Sequence, residues 1–367
     1  MNKNYLCLGL MSGTSGDGID TSVIKSDGKN QCELILDRYF EYNGQIQEDI
    51  HNLKDKIVNN PEKLDKFSKE IIALEKNITF FHAEAVNHIV SDFKENIDFL
   101  GFHGQTILHS PVHRATKQLG DGNLLSQLTK KKVIYNFRQN DLKNGGQGAP
   151  LTPIFHKLLK NKYKLKLPTI IMNIGGIANI TIIDSGDCIH SRDIGPGNCM
   201  IDQWIRKNSK KKYDNKGDLA KSGKINKLIL KNALEIFIKK SNLKSYDVKD
   251  FDSSFFKNLS LEDGAATLTE YTSEILYNQL KKSLPKSIEN IFISGGGRKN
   301  KFLVKSIQDK INIPIKLIDD FGIDGDFIES QAFAYLGIRS FLKLPISFPD
   351  TTGCKEPCIG GEMIESY

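Results

Sequence analysis

Short glycine-rich polar stretches between apolar segments hold the residues of this chain that are best suited to chemistry. The first reads SGTSGDG over residues 12–18, where hydroxyls and backbone N–H groups can surround a negatively charged group. Gly13 and Gly18 have the spacing of a phosphate-binding Walker loop, but Ile19 stands where that motif needs Lys. Because an apolar, β-branched run follows, the stretch predicts the turn of a β-hairpin rather than the start of a helix.

Three further stretches have the same character. NIGGIANIT (residues 173–181) predicts a second hairpin, RDIGPGN (192–198) predicts the end of a strand, and SGGGRKN (294–300) predicts a strand followed by a helix from Lys299 or Asn300. Backbone geometry alone explains any one of these turns, because glycine suits tight turns. All four in this order predict a nucleotide with its phosphates at the hairpins and its base at the triple glycine, where no Cβ keeps a flat ligand away.

The length of the chain bears on its domain organisation. A chain of 367 residues predicts two domains with a site in the cleft between them. The opening pattern of apolar segment, turn and apolar segment recurs at residues 170–183, which predicts that the two domains are duplicates. A glycine-rich boundary predicts an N-terminal domain of residues 1–145, completed by 345–367, and a C-terminal domain of residues 146–344.

Periodic apolar positions predict the helices. One long amphipathic helix is expected between Asn60 and Asn96, with Asn60 as its cap and Pro61 in its first turn. The apolar segment at 97–102 predicts a strand that ends at a loop carrying His103, Gln105 and Thr106, where α/β folds place their sites. Further helices are predicted around residues 200–207, 225–237, 263–280 and 328–342.

Composition and charge exclude several classes of protein. With 39% hydrophobic and 26% charged residues, the chain has the composition of a folded globular protein. The net charge of +7 is dispersed, and the densest basic runs, at 130–132 and 206–212, lack interleaved aromatic residues, which predicts solvated surface rather than a nucleic-acid site. No apolar run approaches the roughly 20 residues of a membrane span, and the N-terminus lacks a cleavage site. The sequence therefore predicts a cytoplasmic protein with neither a membrane nor a nucleic-acid partner.

Cysteine and histidine spacing gives no metal-binding pattern. The six cysteines, at positions 7, 32, 188, 199, 354 and 358, show no CxxC pair and predict reduced thiols in a reducing compartment. His103, His109 and His113 match no metal-site spacing and are expected to be polar loop or surface residues.

Six blocks together resemble a known family. In chain order they read MSGTSGDGID, GFHGQT, NFRQND, NIGGIANIT, DIGPGN and SGGGRKN, and they resemble the anhydro-N-acetylmuramic acid kinases over nearly the whole chain. The resemblance implies the sugar kinase, heat-shock chaperone and actin superfamily, whose fold is an α/β, two-domain actin-like ATPase with duplicated ribonuclease-H-like domains and an interdomain cleft. It also implies a homodimeric, cytoplasmic enzyme of peptidoglycan (cell-wall) recycling.

The reaction that this resemblance implies uses ATP and Mg²⁺. Water opens the 1,6-anhydro ring of anhydro-N-acetylmuramic acid and O6 is phosphorylated, which gives N-acetylmuramic acid 6-phosphate and ADP. Because this sugar has no free hydroxyl at C6, water must attack C1 while O6 leaves, and a carboxylate beside the water must take its proton. Phosphoryl transfer then needs positioning and stabilisation of negative charge.

Two aspartates are candidates for this chemistry. Asp193, in RDIGPGN, is the candidate general base, held at a strand end before a rigid turn; the alternative is that it caps the following turn or helix. Asp17 would repel a bare phosphate and is expected to hold Mg²⁺ through water, unless it forms an Asx turn in the hairpin. The nucleotide contacts are assigned to Gly13, Thr14, Ser15, Gly16, Asp17 and Gly18, to Gly175, Gly176 and Asn179, and to Gly295, Gly296 and Gly297.

Three residues are candidates for binding the amino sugar. Arg138 can pair with the lactyl carboxylate of muramic acid, although a structural salt bridge with Asp141 explains it equally well. Glu329 opens the helical segment IESQAFAYLG, where an acidic residue also stabilises the positive end of a helix. His103 is the third candidate.

Two other functions fit the same features. A kinase of another amino sugar, or of a free sugar hydroxyl, would also need a base beside an acceptor oxygen. A nucleotide-switched assembly or chaperone module would share an actin-like fold without any sugar. The acid at position 193 beside GPGN favours an enzyme that acts on a small molecule.

Overall fold

The structure, a computed structural model, describes residues 3–58, 60–240, 246, 248–251, 254–285 and 287–365. The chain divides into two compact units. The first unit comprises Met1–Lys164 and Phe327–Tyr367, and the second comprises Leu165–Asp326.

The N-terminal part of the chain supplies most of the first unit. Its strands and helices are β1 (Tyr5–Ser12), β2 (Gly18–Ser26), β3 (Cys32–Glu41), α1 (Gly44–Ile57), α2 (Lys63–Lys66), α3 (Ser68–Asp92), β4 (Phe99–Ser110), β5 (Ala115–Leu119), α4 (Gly122–Thr129), β6 (Lys132–Tyr135), α5 (Gln139–Lys143) and α6 (Pro153–Lys162).

The second unit follows, and the chain then returns to the first. The second unit contains β7 (Thr169–Ile174), β8 (Ile177–Ile183), β9 (Ile189–Pro196), α7 (Cys199–Asn208), α8 (Asp218–Ser222), α9 (Lys227–Lys240), α10 (Leu261–Ser283), β10 (Ile291–Ser294), α11 (Lys301–Gln308) and β11 (Ile315–Leu317). The first unit is completed by α12 (Ile328–Phe341), α13 (Pro349–Thr352) and β12 (Glu362–Ile364).

Both units contain a sheet with the same strand order. The first sheet runs β3-β2-β1-β4-β6, with β12 beyond β6 and β5 paired to β4, and the second runs β9-β8-β7-β10-β11. In each sheet the first three strands pair antiparallel and the next two join in parallel. The repeated order is that of the duplicated, two-domain actin-like fold that the sequence predicts.

Helices pack on both faces of the first sheet. The side chains of α1 and α3 form a core with Ile19, Ile107 and Leu119 on one face. Helix α12 lies on the other face, so close that Gly9 and Gly101 have no room for a side chain. A Cβ on Gly9 would lie 2.0 Å from the Ser330 carbonyl oxygen, and a Cβ on Gly101 would lie 2.4 Å from the Phe333 carbonyl oxygen. Glycine is therefore required at these strand positions by packing.

The second sheet packs against α10. Leu276 and Leu280 of this helix are buried with Met172 and Ile180 in a core that α11 also joins through Leu303. Among the described residues, no helix is both long enough and apolar enough to cross a membrane.

The bounds of the two units differ from the predicted domain boundaries after residues 145 and 344. Helices α6 and α12, which the sequence assigns to the C-terminal domain, both belong to the first unit. They pack on each other there, since the rings of Phe155 and Tyr335 lie 5.8 Å apart. Chain crossings of this kind leave no local mark in the sequence.

Two predicted elements also differ. The helix expected from Asn60 to Asn96 is interrupted at Phe67, whose φ of −104° and ψ of 19° are not helical and whose side chain packs into the core beside α1 and α3. The strand expected to end before His103 instead continues to Ser110, because β5 pairs with its second half.

We expect Gly101→Ala to destabilise the first unit. Its methyl group would overlap the backbone of α12, which cannot move aside as a flexible side chain would, and such overpacking costs about 1–3 kcal/mol. Gly44→Ala is the matched control, since no atom lies within 4 Å of the Cβ position there. Urea unfolding of both variants would measure the difference, and equal stabilities would contradict the close approach of α12.

Candidate active site

The loop between β1 and β2 is braced by a buried glutamine. Gln105 Nε2 donates to the carbonyl of Gly13 at 3.0 Å, and its Oε1 lies 2.6 Å from the hydroxyl of Ser12. Ser12 and Gln105 are in register on the parallel strands β1 and β4, and both side chains are buried. The sequence placed Gln105 on a loop at a strand end without predicting a contact for it, and Ser12 was not among the predicted contacts either.

The braced loop offers its polar groups outward. Gly16 adopts a φ of 68° and donates its N–H to Gly13, which closes a tight turn. The side chains of Thr14 and Ser15 are exposed, and a Cβ at Gly13 would find only one atom within 4 Å, the Ser15 hydroxyl at 3.9 Å. A phosphate-sized group therefore has access to the backbone of this loop. Gly18, by contrast, is required by packing, since a Cβ there would lie 2.3 Å from the Phe40 carbonyl oxygen.

Asp17 is half-buried beside this loop. Its backbone carbonyl accepts hydrogen bonds from Tyr42 N and Gln47 Nε2, but no hydrogen bond or salt bridge joins its carboxylate to a described residue. Burial, together with Asp17 and two further acidic residues, raises the pKa of Tyr39, so this phenol stays neutral beside the carboxylate. Among the described residues the carboxylate therefore forms no Asx turn, and its role as a ligand of a hydrated cation stays a prediction.

A row of polar residues crosses the second sheet. Ser294 of β10 is in register with Asn173 of β7, Asn173 with Asn179 of β8, and Asn179 with Asp193 of β9. In-register residues on neighbouring strands project from the same face, so these four side chains form one line. The amide oxygen of Asn179 is buried and has no hydrogen-bond partner among the described residues. Asn179 and Asp193 were predicted from the sequence, whereas Asn173 and Ser294 were not; the signal for these two is a polar residue at the end of a buried strand.

A β-bulge sets the direction of the Asp193 side chain. Ala178 pairs with Gly195 and Asn179 with Asp193, so Ile194 is the extra residue on β9. Arg192, next to Asp193 on the strand, points to the opposite face and donates to Gln279 of α10. Bulges of this kind commonly re-aim a side chain next to a site.

Asp193 lies inside β9 rather than at its end, and it is 7% exposed. Its Oδ2 accepts a hydrogen bond from the backbone N–H of Tyr246 at 2.8 Å. The rigid turn expected after Asp193 is part of the strand as far as Pro196. The carboxylate is thus held by the sheet on one side and by a backbone donor on the other.

The glycines of the second unit fall into two groups. A Cβ at Gly175 or Gly296 would meet no heavy atom closer than 3.5 Å, so their backbone is open to a ligand. At Gly295 a Cβ would lie 2.3 Å from Asn173 Oδ1, and at Gly297 it would lie 2.2 Å from Ile174 Cγ2. Packing therefore requires glycine at both positions. The carbonyl of Gly176 accepts the N–H of Gly197 and ties the second hairpin to the end of β9.

His103 and Arg138 form a buried pair in the first unit. His103 Nδ1 lies 2.8 Å from the Gly104 carbonyl and must donate to it, so Nε2 is the acceptor for Arg138 Nε and Nη2 at 3.1 and 3.0 Å. Burial and the neighbouring guanidinium hold the pKa of His103 well below its usual value, which keeps the ring neutral. The expectation of a loop or surface histidine is therefore wrong for His103, because β4 continues past it.

Asp141 and Arg138 are linked through the backbone of one residue, Gly148. Asp141 Oδ2 accepts the N–H of Gly148 at 2.7 Å, while Arg138 Nη1 donates to the carbonyl of the same residue at 2.6 Å. The carboxylate therefore orients the guanidinium indirectly, by fixing the loop that carries Gly148.

Glu329 lies in the first turn of α12, where it is half-buried. Phe333, one turn later on the same helix, packs on the imidazole of His103 with ring centroids 4.4 Å apart. Residues four apart share one side of a helix, so Glu329 faces the same side of α12 as the His103 contact. The first unit thus brings the three predicted sugar-binding residues to one region. The second unit groups Asp193, Asn179 and the glycine turns.

A family model described as anhydro-N-acetylmuramic acid kinase matches residues 5–366. The chain belongs to this family. It is 51% identical to the anhydro-N-acetylmuramic acid kinase of Pelagibacter ubique, with 100% of both chains covered. It is 36% identical to that of Zymomonas mobilis, with 98% of this chain and 99% of the relative covered. A solved ROK family glucokinase from Streptomyces griseus, in complex with glucose and AMPPNP, aligns with a TM-score of 0.42 at 11% identity, over 90% of this chain and 98% of the other.

We expect Gly296→Val to weaken nucleotide binding by about tenfold or more, about 1.4 kcal/mol, without lowering the melting temperature. The valine side chain would occupy space that is open in the protein and that is predicted to hold the base of the nucleotide. Gly297→Ala should do the reverse, because its methyl group would overlap Ile174 and destabilise the fold. Calorimetry with an ATP analogue and thermal unfolding would measure both effects; unchanged affinity of a folded Gly296→Val protein would move the base elsewhere.

Proposed function

We propose that the protein uses ATP and Mg²⁺ to open the 1,6-anhydro ring of anhydro-N-acetylmuramic acid hydrolytically and to phosphorylate O6. The products are N-acetylmuramic acid 6-phosphate and ADP. Family membership, with 51% identity to a relative over the full length of both chains, supports this reaction. The observation that carries it is the buried Asp193 carboxylate at the end of a polar row beside two open glycine turns.

Asp193 acts in this proposal as the general base. It takes a proton from a water molecule that attacks C1, the C1–O6 bond breaks, and O6 attacks the γ-phosphorus of ATP. The hydrogen bond from Tyr246 N–H to Oδ2 fixes the position of the carboxylate that takes the proton. Because the side chain is nearly buried, bulk water is kept from the reacting centre, which strengthens every electrostatic interaction there.

The nucleotide is proposed to lie against the glycine turns. The open backbone at Gly13 and Gly175 suits phosphate oxygens. The Asn179 amide oxygen, which has no partner among the described residues, can accept a hydrogen bond from the nucleotide or from the reacting water. Mg²⁺, held through water by Asp17, would neutralise charge on the phosphates.

The sugar is proposed to bind the group of His103, Arg138 and Glu329. Arg138 donates to His103 and to the Gly148 carbonyl, and its planar guanidinium is of the kind that binds a carboxylate, so we assign it to the lactyl carboxylate of the substrate. The carboxylate of Glu329 can accept hydrogen bonds from sugar hydroxyls. We further propose a homodimer that acts in the cytoplasm in peptidoglycan recycling, as the family resemblance implies.

Mass spectrometry of the sugar product tests this function directly. The protein is incubated with Mg-ATP and anhydro-N-acetylmuramic acid in ¹⁸O-labelled water, and we expect a phosphorylated sugar with one heavy oxygen at C1. If a different amino sugar is phosphorylated and its product carries no heavy oxygen, the protein is a kinase but the proposed substrate is wrong. Loss of ATP without a sugar product would favour a nucleotide-switched module.

We expect Asp193→Asn to lower turnover by about 10² to 10⁴, the usual contribution of a positioned base, while ATP binding remains. Asparagine keeps the shape of the side chain and can still accept the Tyr246 N–H, so the fold should be unaffected. Asp309→Asn, an exposed carboxylate of the same unit, is the matched control and should retain full activity. Steady-state kinetics would show the difference, and full activity of the Asp193 variant would remove this residue from the role.

A further inference from the structure

Two thiols and a carboxylate meet in the first unit away from the residues assigned to catalysis. One ligand atom each of Asp141, Cys354 and Cys358 lies within 4.8 Å of the other two. The three residues are 1%, 2% and 4% exposed, respectively, so the cluster is shielded from solvent. Soft thiols and a carboxylate at this separation are a ligand set for a divalent transition metal.

Backbone contacts fix the cluster independently of any metal. Helix α13 ends at Thr352, and Gly353, with a φ of 78°, turns the chain after it into Cys354, whose thiol lies near Asp141. The Thr352 hydroxyl donates to Asp141 Oδ1 at 2.6 Å, and Cys358 is held by an antiparallel bridge to Ser347. The ligands therefore lie on segments that are ordered by their own hydrogen bonds, as a preorganised site requires.

The polar groups of the cluster have only neutral partners among the described residues. The Thr352 hydroxyl and the Gly148 N–H donate to the Asp141 carboxylate, and the Cys358 thiol donates to the Glu356 carbonyl at 3.0 Å. The Ser347 hydroxyl, 1% exposed, has no hydrogen-bond partner among the described residues. An unsatisfied buried hydroxyl is costly, and a bound water molecule beside it would supply the partner.

We propose that Asp141, Cys354 and Cys358 bind one Zn²⁺ ion, with a water molecule beside the Ser347 hydroxyl as the fourth donor. On binding, each thiol loses its proton to solvent and forms a sulfur–zinc bond, and one Asp141 oxygen forms the third bond. The cluster carries a net charge of −1 before and after, because two protons are exchanged for one divalent cation. Four donors with two thiolates match the tetrahedral geometry that zinc prefers.

The site would stabilise the loop that carries Gly148. Asp141 bonds the N–H of Gly148, and the carbonyl of the same residue accepts Arg138, which reaches His103. A metal bond to Asp141 would therefore restrain the position of Arg138. This role is structural, and the metal takes no part in phosphoryl transfer.

Metal stoichiometry of the full chain tests the proposal without any activity assay. The reduced protein is loaded with Zn²⁺, freed of excess metal and analysed by atomic emission, and we expect one zinc per chain. Cys354→Ser, alone and with Cys358→Ser, should weaken binding by more than about 100-fold. Cys188→Ser, which removes an exposed thiol, is the control and should bind normally. Cobalt in place of zinc should give a thiolate-to-metal absorption band that the Cys354→Ser protein lacks.

Three results would overturn the site. The first is a zinc content far below one ion per chain in the reduced, folded protein. The second is equal zinc binding by the Cys354→Ser and Cys188→Ser variants. An intact mass two hydrogens lower, with Cys354 joined to Cys358, would replace the metal by a disulfide. If the site is right, removal of zinc by a chelator lowers the melting temperature of the unaltered protein but not that of the double variant. None of these readouts depends on the proposed kinase reaction.

Discussion

The close approach of α12 to the first sheet is the constraint on which the arrangement of this unit depends. Backbone meets backbone at Gly9 and Gly101, with no side chains between them. A helix held at this distance has little freedom to slide or rotate, because packed interiors tolerate even small changes of volume poorly. Its first turn therefore fixes Glu329, and its second fixes Phe333 against His103.

Duplication of the fold repeats one arrangement in both units, a pair of polar residues in register on neighbouring parallel strands. At the end of the first parallel strand pair, Ser12 is in register with Gln105, and in the second unit Asn173 is in register with Ser294. Each pair stands where a β-hairpin turn leaves the sheet. In the first unit the pair braces the hairpin loop through Gly13, and in the second Asn173 lies against Gly295. The carboxyl ends of parallel strands are where α/β folds collect their ligands, so the duplicated topology supplies two such ends.

Local features of the sequence predicted the parts of this structure that depend on short-range physics. Glycine turns, both hairpins and the helical periodicities are encoded within a few residues, and they were predicted with nearly correct bounds. The break at Phe67 and the continuation of β4 past His103 depend on partners far along the chain, on the core beside α3 and on β5. The same limit explains why α6 and α12 were assigned to the wrong unit, since the chain crosses between units without a change in composition.

The glycines show most clearly what the residue type alone does not predict. Gly296 and Gly297 are indistinguishable by residue type and adjacent in the chain, yet one is open to a ligand and the other is pressed against Ile174. Both were predicted to bind the nucleotide because both lack a Cβ. Only the direction in which each missing Cβ points separates a glycine needed for binding from one needed for packing, and that direction is set by the pairing of β10 with β7.

A buried polar atom of the second unit carries a cost that the described residues do not offset. The amide oxygen of Asn179 is buried and has no hydrogen-bond partner among them. A sequence selected only for stability would replace such a group or pair it fully, since an unmade hydrogen bond costs about 1–3 kcal/mol. The atom lies in the same polar row as Asp193, on the strand that follows the open glycine Gly175. A ligand that donates to this oxygen would complete its bonding.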